Sequence, residues 1–258
     1  MIKGIYTAAS GMVSLLASND NIANSLANVN TPGFKKGVTL FKSFAPMLID
    51  KISAQGTKNT DRSMPLGAIS PGSALSGIAI DFTQGRIEDT ANKLDFAIEG
   101  DGFFEVQTDS GERLYTRNGR FKLDDEGFLT TLEGYRVIGM NDAPIKMGMD
   151  LTTLEVTNTG ELILNKEPIN QLKVVDFENK HGLVKRGNSC FEATNVAGNQ
   201  IEPGYKIVQS AVEGSNANVI SSMVNTIEGM RAYETLARVV ENTSRSLEKT
   251  TTQLGRIQ

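Results

Sequence analysis

Tryptophan is absent from this 258-residue chain, and histidine and cysteine occur once each, as His181 and Cys190. A lone cysteine excludes an internal disulfide framework and any CxxC or Cys/His metal spacing. A lone histidine leaves one imidazole for general-base work and removes most His-based metal sites. No apolar run reaches the roughly 18 residues of a spanning helix, so an integral membrane protein is not expected. Neither charge dominates: 26 Lys+Arg stand against 30 Asp+Glu, a net charge of -4. That balance argues against nucleic-acid binding, which favours a basic excess. The stretch from Ile2 to Ala17 is too interrupted by Thr7, Ser10, Gly11 and Ser14 to read as a cleaved signal peptide.

The two ends carry a seven-residue repeat. Ile5, Met12, Asn19 and Leu26 form one column, and Ala8, Leu15, Ile22 and Val29 the other, so this stretch predicts an amphipathic helix. Thr31-Pro32-Gly33 stops it, because proline disfavours helix in the residue before it and glycine permits a turn. At the far end Val219, Thr226, Tyr233, Val240, Leu247 and Leu254 form one column, and Met223, Met230, Ala237, Ser244 and Thr251 the other. Ser215-Asn216 or Asn218 offers its N-terminal cap.

Between the ends the period shortens to that of strands. Phe103–Val106, Leu114–Arg117, Arg120–Leu123 and Phe128–Thr131 read as strands, with Asn118-Gly119 as a hairpin turn and Asp124 to Gly127 as a second turn. Leu162–Leu164, Gln171–Phe177 and Ile207–Val212 follow, with turns at Thr159-Gly160 and Asn179 to Gly182. The expected fold class is therefore α+β, with N- and C-terminal helices pairing in a coiled-coil-like core and a mainly β middle. The expected organisation is a terminal helical domain (1–34 and 214–258), an extended or loop connection (35–78) and a β body (79–213). Ser53 to Gly77 reads either as a surface loop or as a segment ordered against a neighbouring molecule.

Candidate chemistry is sparse. Asp124-Asp125-Glu126-Gly127 lacks the alternating ligands of a calcium loop and reads as a turn. Glu99-Gly100-Asp101-Gly102 precedes Phe103-Phe104 rather than a helix, so it reads as a turn into a strand. His181 sits in a polar turn, and Cys190 reads as a small buried hydrophobe. No GxSxG, HExxH or phosphate-binding loop occurs. No catalytic residue, metal, cofactor or small-molecule substrate is expected. A cell-wall glycosidase, the rival from another class, needs two facing carboxylates that no motif here supplies.

The helical seams are thin. Seven larger apolar side chains in the first helix are worth roughly 10–20 kcal/mol if fully buried. Ordering about 25 residues costs roughly 25–50 kcal/mol of backbone entropy before hydrogen bonds are counted. Two helices alone cover only part of that apolar surface, so neighbouring molecules are expected to complete it.

Three stretches carry a resemblance. Ile22-Ala23-Asn24-Ser25-Leu26-Ala27-Asn28-Val29-Asn30-Thr31-Pro32-Gly33-Phe34-Lys35 resembles the N-terminal signature of bacterial flagellar basal-body rod and hook proteins. Ser25 departs from the asparagine common there. Ala97 to Phe104 with Tyr115-Thr116-Arg117-Asn118-Gly119 is similar to the family's body domain. Glu213-Gly214-Ser215-Asn216, Met223-Val224-Asn225 and Arg231-Ala232-Tyr233-Glu234 are similar to its C-terminal signature, with Gly229-Met230 a looser match. The resemblance implies a non-catalytic axial subunit that polymerises with copies of itself and other flagellar rod proteins in a helical stack. It implies terminal helices inside and the β domain outside, with Ile5, Met12, Leu15, Ile22, Leu26, Val29, Met223, Met230, Tyr233, Val240, Leu247 and Leu254 at the assembly interface. It further implies delivery by the flagellar type III export apparatus without signal cleavage, to the basal body and, in a Gram-negative cell, to a periplasmic rod. The Ile5-Tyr6-Thr7-Ala8-Ala9-Ser10-Gly11 opening and the Val212–Asn216 junction favour the proximal-rod paralog, while the length also suits the distal one.

Overall fold

The computed structural model describes residues 2–51, 64–148, 154–201 and 203–254. The chain divides into two compact units, Met1–Asn24 with Gly37–Ala79 and Ile220–Gln258, and Ser25–Lys36 with Ile80–Val219.

The first unit is built on two helices, α1 (Ile2–Ala27) and α2 (Val219–Leu254). It also holds strands β1 (Gly37–Ser43), β2 (Met47–Lys51), β3 (Met64–Ile69) and β4 (Ser73–Ile80), with β1 paired to β4 and β2 antiparallel to β3. Ser53 to Gly77 is thus not a plain loop: its described residues include two paired strands, and 52–63 lie outside the described residues. Small polar side chains on α1 fasten these strands to it. Ser14 Oγ donates to Ser73 O at 3.3 Å, Thr7 Oγ1 to Pro71 O at 2.6 Å, and Asn21 Nδ2 to Gly37 O at 2.7 Å. Each bond gives a backbone carbonyl a partner: Ser73 at the start of β4, Gly37 at the start of β1, and Pro71 between β3 and β4.

α1 stops where proline and glycine were expected to stop it. Val29 N reaches back to Leu26 O at 3.3 Å and Thr31 N to Asn28 O at 3.2 Å, before Gly33 adopts φ +67. α2 begins directly after Asn218. Asn216 is not its cap, because that side chain accepts from Lys36 N at 2.8 Å and donates to Asp81 O at 2.8 Å. Glu241 and Arg245, four apart on α2, pair at 2.6 Å, an exposed bridge worth about 0.3–0.5 kcal/mol.

The second unit is the β body. Its strands are β5 (Ile87–Asp89), β6 (Phe96–Gly100), β7 (Phe103–Gln107), β8 (Arg113–Thr116), β9 (Phe121–Leu123), β10 (Leu129–Thr131), β11 (Arg136–Val137) and β12 (Glu155–Val156). They continue as β13 (Glu161–Leu164), β14 (Glu167–Gln171), β15 (Val174–Phe177), β16 (Leu183–Gly187), β17 (Cys190–Ala193), β18 (Gln200–Ile201), β19 (Tyr205–Gln209) and β20 (Ala211–Glu213). The main sheet runs β16-β17-β8-β7-β11-β10-β9, with β15 also on β7; β12-β13-β14, β6-β19 and β5-β20 form smaller ladders. Neighbouring residues of a strand point to opposite faces, and Phe103-Phe104 uses that alternation. Phe104 enters one apolar cluster with Phe96, Val106, Phe121 and Leu129, while Phe103 enters another with Tyr115, Phe177 and Phe191. Edge-on ring pairs such as Phe104–Phe121 at 5.4 Å and Tyr115–Phe177 at 4.8 Å pack both.

Three strand expectations need correction. Asn118-Gly119 is no hairpin turn, since β8 pairs with β7 and β17 rather than β9. Gly119 serves instead to let the chain pass close: a Cβ there would sit 1.6 Å from Phe96 O, and its own carbonyl accepts from Phe96 N at 2.9 Å. Gln171–Phe177 spans the end of β14 and all of β15. Ile207–Val212 splits into β19 and β20 at Ser210, which has φ +56. The turn at Asp124 to Gly127 is as read, joining β9 to β10 with Gly127 at φ +82.

Candidate assembly interface

The pairing of α1 with α2 follows from where the small residues fall. A Cβ added at Gly11 would lie 3.2 Å from Leu236 Cδ1, and one at Gly229 would lie 2.4 Å from Asn19 Oδ1. Ascending α1 thus descends α2, so the helices are antiparallel. On α2 the half-buried residues are Ser222, Thr226, Gly229, Tyr233, Leu236, Ala237, Val240, Thr243 and Leu247. Apart from Ala237, which flanks Leu236, these alternate by three and four, as in a helix seam. Thr226 and Thr243 enter it because each hydroxyl bonds its own helix, at Ser222 O (2.8 Å) and Val239 O (2.7 Å).

Of the two expected α2 columns, Thr226, Tyr233, Val240 and Leu247 of one and Ala237 of the other are half-buried, while Val219, Ser244 and Thr251 are exposed. Met223 (51% exposed) and Met230 (52%) point away from the seam. Ser222, Gly229, Leu236 and Thr243 hold that place instead. Apolar periodicity could not select Ser222, Gly229 and Thr243, because Ser, Gly and Thr carry no hydrophobic signal; Leu236 does carry one and stands outside both columns. On α1, Ile5, Met12, Leu15 and Ile22 are half-buried in the first unit, and Leu26 and Val29 are half-buried in the second. The side chain of Leu254 lies outside the described residues.

The exposed apolar side chains are mostly ones that the sequence columns omit. On α1 they are Tyr6 (71%), Val13 (67%) and Leu16, spaced by seven and three. On α2 Ile220 (76%), Met223, Val224, Ile227 and Met230 again run at three and four, with Val219 and Val239 also exposed. Single exposed hydrophobes are ordinary, whereas apolar stripes on both helices present the kind of surface that a partner can cover. Beside them a cleft of about 360 Å³ opens between the helices, with Leu15, Asn19 and Ile22 on one wall and Asn225, Gly229 and Ala232 on the other.

In the β body, the stretches singled out in the sequence converge on one buried carboxylate. Glu213 Oε1 accepts from Lys35 Nζ at 2.6 Å and from Gly85 N at 2.8 Å, and Glu213 Oε2 accepts from Arg117 Nη1 at 3.0 Å. Lys35 Nζ also reaches Thr83 O at 2.7 Å, and Arg117 Nη2 reaches Gly100 O at 2.8 Å. Gly33 N donates to Glu213 O at 2.7 Å. All three charged side chains are buried, and desolvation holds the Lys35 ammonium below its usual pKa despite the pull of Glu213. A buried ion pair of this kind adds little net stability, yet losing one partner strands a buried charge. Thr-Pro-Gly-Phe-Lys, Tyr-Thr-Arg-Asn-Gly and Glu-Gly-Ser-Asn thus form a fold-defining knot.

His181 is exposed in a 3₁₀ turn capped by Asn179. Cys190 is buried, its thiol pushed up to about 11 mainly by that burial. Among the described residues no group of three or more His, Cys, Asp or Glu gathers to hold a metal, and no helix is long and apolar enough to cross a membrane.

Comparison with known proteins agrees with this geometry. Residues 97–164 match the model of the flagellar hook protein FlgE/F/G D1 domain, and residues 208–254 that of the flagellar basal body rod FlgEFG protein C-terminal region. The chain is 33% identical to the flagellar basal-body rod protein FlgG of Borreliella burgdorferi, over 96% of this chain and 97% of that one. It is 32% identical to FlgG of Agrobacterium fabrum over 93% and 94%. Flagellar basal-body rod protein FlgF of Caulobacter vibrioides is 30% identical over the full length of both. Shared signatures, terminal helices and a β body together place this chain in the flagellar basal-body rod protein family.

Proposed function

We propose that this chain is a non-catalytic subunit of the bacterial flagellar basal-body rod, polymerising into a helical drive shaft that carries torque from motor to hook. The observation that carries this reading is the pair of apolar stripes exposed on α1 and α2. Copies of the chain and other rod proteins are the partners that bury them. A head-to-tail contact that does not close into a ring grows into a helical polymer, and each added copy covers the stripe of the last. Within that scheme the half-buried residues Ile5, Met12, Leu15, Ile22, Tyr233, Val240 and Leu247 hold the helix pair. The exposed Met223 and Met230, with Tyr6, Val13, Leu16 and Ile227, meet neighbours. Leu26, Val29 and Leu254 complete the proposed interface set.

The subunit reaches the basal body through the flagellar type III export apparatus, without signal cleavage, and stands in the periplasmic part of the rod in a Gram-negative cell. The proximal position is proposed on the Ile5–Gly11 opening and the Val212–Asn216 junction. Relatives named FlgG and FlgF lie at nearly equal identity and do not weigh against it. Labelled chain located along isolated basal bodies tests the position, and label at the hook-proximal end would assign the distal one.

The central test is Leu16→Asp and Ile227→Asp. Both are expected to leave the purified chain folded and to abolish its incorporation into basal bodies. Normal incorporation and swimming would refute the stripes as assembly surfaces.

A further inference from the structure

The α1 column that runs through Ile5, Met12 and Leu26 contains one amide, Asn19. Its Oδ1 and Nδ2 are both buried and make no hydrogen bond. It faces Gly229, where any Cβ would fall 2.4 Å from Oδ1 and 3.2 Å from Nδ2. The helices therefore meet here as a polar knob in a glycine socket. Leu236 and Gly11 repeat the arrangement in the opposite sense, at 3.2 Å. An uncompensated amide in a helix seam disfavours pairing as such, so its presence calls for a gain other than stability.

We propose that Asn19 and Gly229 fix the register of α1 against α2, and thereby the axial phase between the two exposed apolar stripes. The competing arrangements are slips by one heptad. One slip sets Asn19 against Leu236. The other sets it against Ser222 and is the more dangerous, because it brings Leu236 onto another glycine, Gly4, where a Cβ meets nothing within 4 Å. Leu236 alone cannot reject that slip. Asn19 can, because Ser222 has a Cβ where the amide needs open space. A slip would move Val13 and Leu16 along the axis relative to Ile220 and Ile227 by about 10 Å, at ~1.5 Å per residue. A second copy reading both stripes would then match only one. The functional consequence rests on the rod-subunit reading; the register itself does not.

The test uses the purified full chain in a Cys190→Ala background. Cysteines at Gly11→Cys and Leu236→Cys report the native register, and Gly4→Cys with Leu236→Cys the slipped one, each trapped by a short thiol cross-linker. The native pair should cross-link and the slipped pair should not. Asn19→Ala removes the knob, and Gly229→Ala evicts it from its socket, each giving its helix a better former. In both variants the ratio of native to slipped cross-link should fall by about tenfold or more, with an unchanged or raised melting temperature. An unchanged ratio in both would overturn the proposal, as would cross-linking of the slipped pair, or of neither pair, in the parent. Incorporation into basal bodies is scored separately. A chain that keeps its register but never enters a basal body would defeat the rod reading and leave the register assignment standing.

Discussion

Lys35 and Glu213 lie 178 positions apart and meet at 2.6 Å with their side chains 1% and 0% exposed. Arg117, from a third part of the chain, takes the other carboxylate oxygen at 3.0 Å. Glu213 is therefore the counter-charge of two buried cations. Glu213→Gln keeps the shape and removes the charge, leaving both cations uncompensated. It should destabilise the β body by about 3–5 kcal/mol, read as a lowered midpoint in urea unfolding.

Lys35→Met tests whether the knot acts as a unit. The single change leaves Glu213 with Arg117, while Lys35→Met with Glu213→Gln also removes the orphaned ammonium. The double variant should lose less than the two singles added, by roughly 0.5–3 kcal/mol. Additive losses would mean that Lys35 and Glu213 act independently.

Gly33 separates backbone need from sequence habit. Its φ is +67, and a Cβ there would sit 2.2 Å from Asn118 N and 2.4 Å from Arg117 C, both backbone atoms unable to turn aside. Gly33→Ala should therefore cost more than the ~1 kcal/mol typical of a left-handed site. A proportionate loss of Lys35 burial should follow, since the same turn delivers Lys35 to Glu213. Equilibrium unfolding measures the first effect, and amide exchange at Gly85 the second.

What could be read in advance divides along physical lines. Long periodic helices declare themselves, and Tyr233, Val240 and Leu247 fell on the seam because bulky residues at seven-residue spacing leave few other readings. The companion column held only at Ala237, because the seam there runs through Ser222, Gly229, Leu236 and Thr243, three of which contribute space rather than apolar signal. Short strands were found where turn residues bounded them, as at Asp124 to Gly127. Asn118-Gly119 misled because glycine there serves a close backbone pass rather than a hairpin. The Lys35–Glu213–Arg117 knot lies in the three stretches that carry the family resemblance, yet nothing local to each charge shows that they meet. Its members are ordinary charges until the fold brings them together.

Cys190 gives a prediction in which the sign is decisive. Burial, followed by the charge of Glu133, pushes its thiol from 9.0 to about 11 in the folded protein. A raised folded value means that the contribution to stability is whole below pH 9 and is lost as pH rises toward 11. Two units correspond to about 2–3 kcal/mol. Lys35 works in the opposite direction, because its folded value is lowered by desolvation, so stability from that group rises with pH up to its unfolded value. Comparing the parent with Cys190→Ala cancels Lys35, which both carry. The stability difference between them should be flat from pH 7 to 8.5 and should shrink steadily above pH 9. Alkylation should agree: at pH 8 the folded chain should react with iodoacetamide only as fast as it opens. A difference that stayed flat to pH 10.5, or a thiol alkylated at the free-cysteine rate, would show that Cys190 does not sit in the apolar site between β8 and β16.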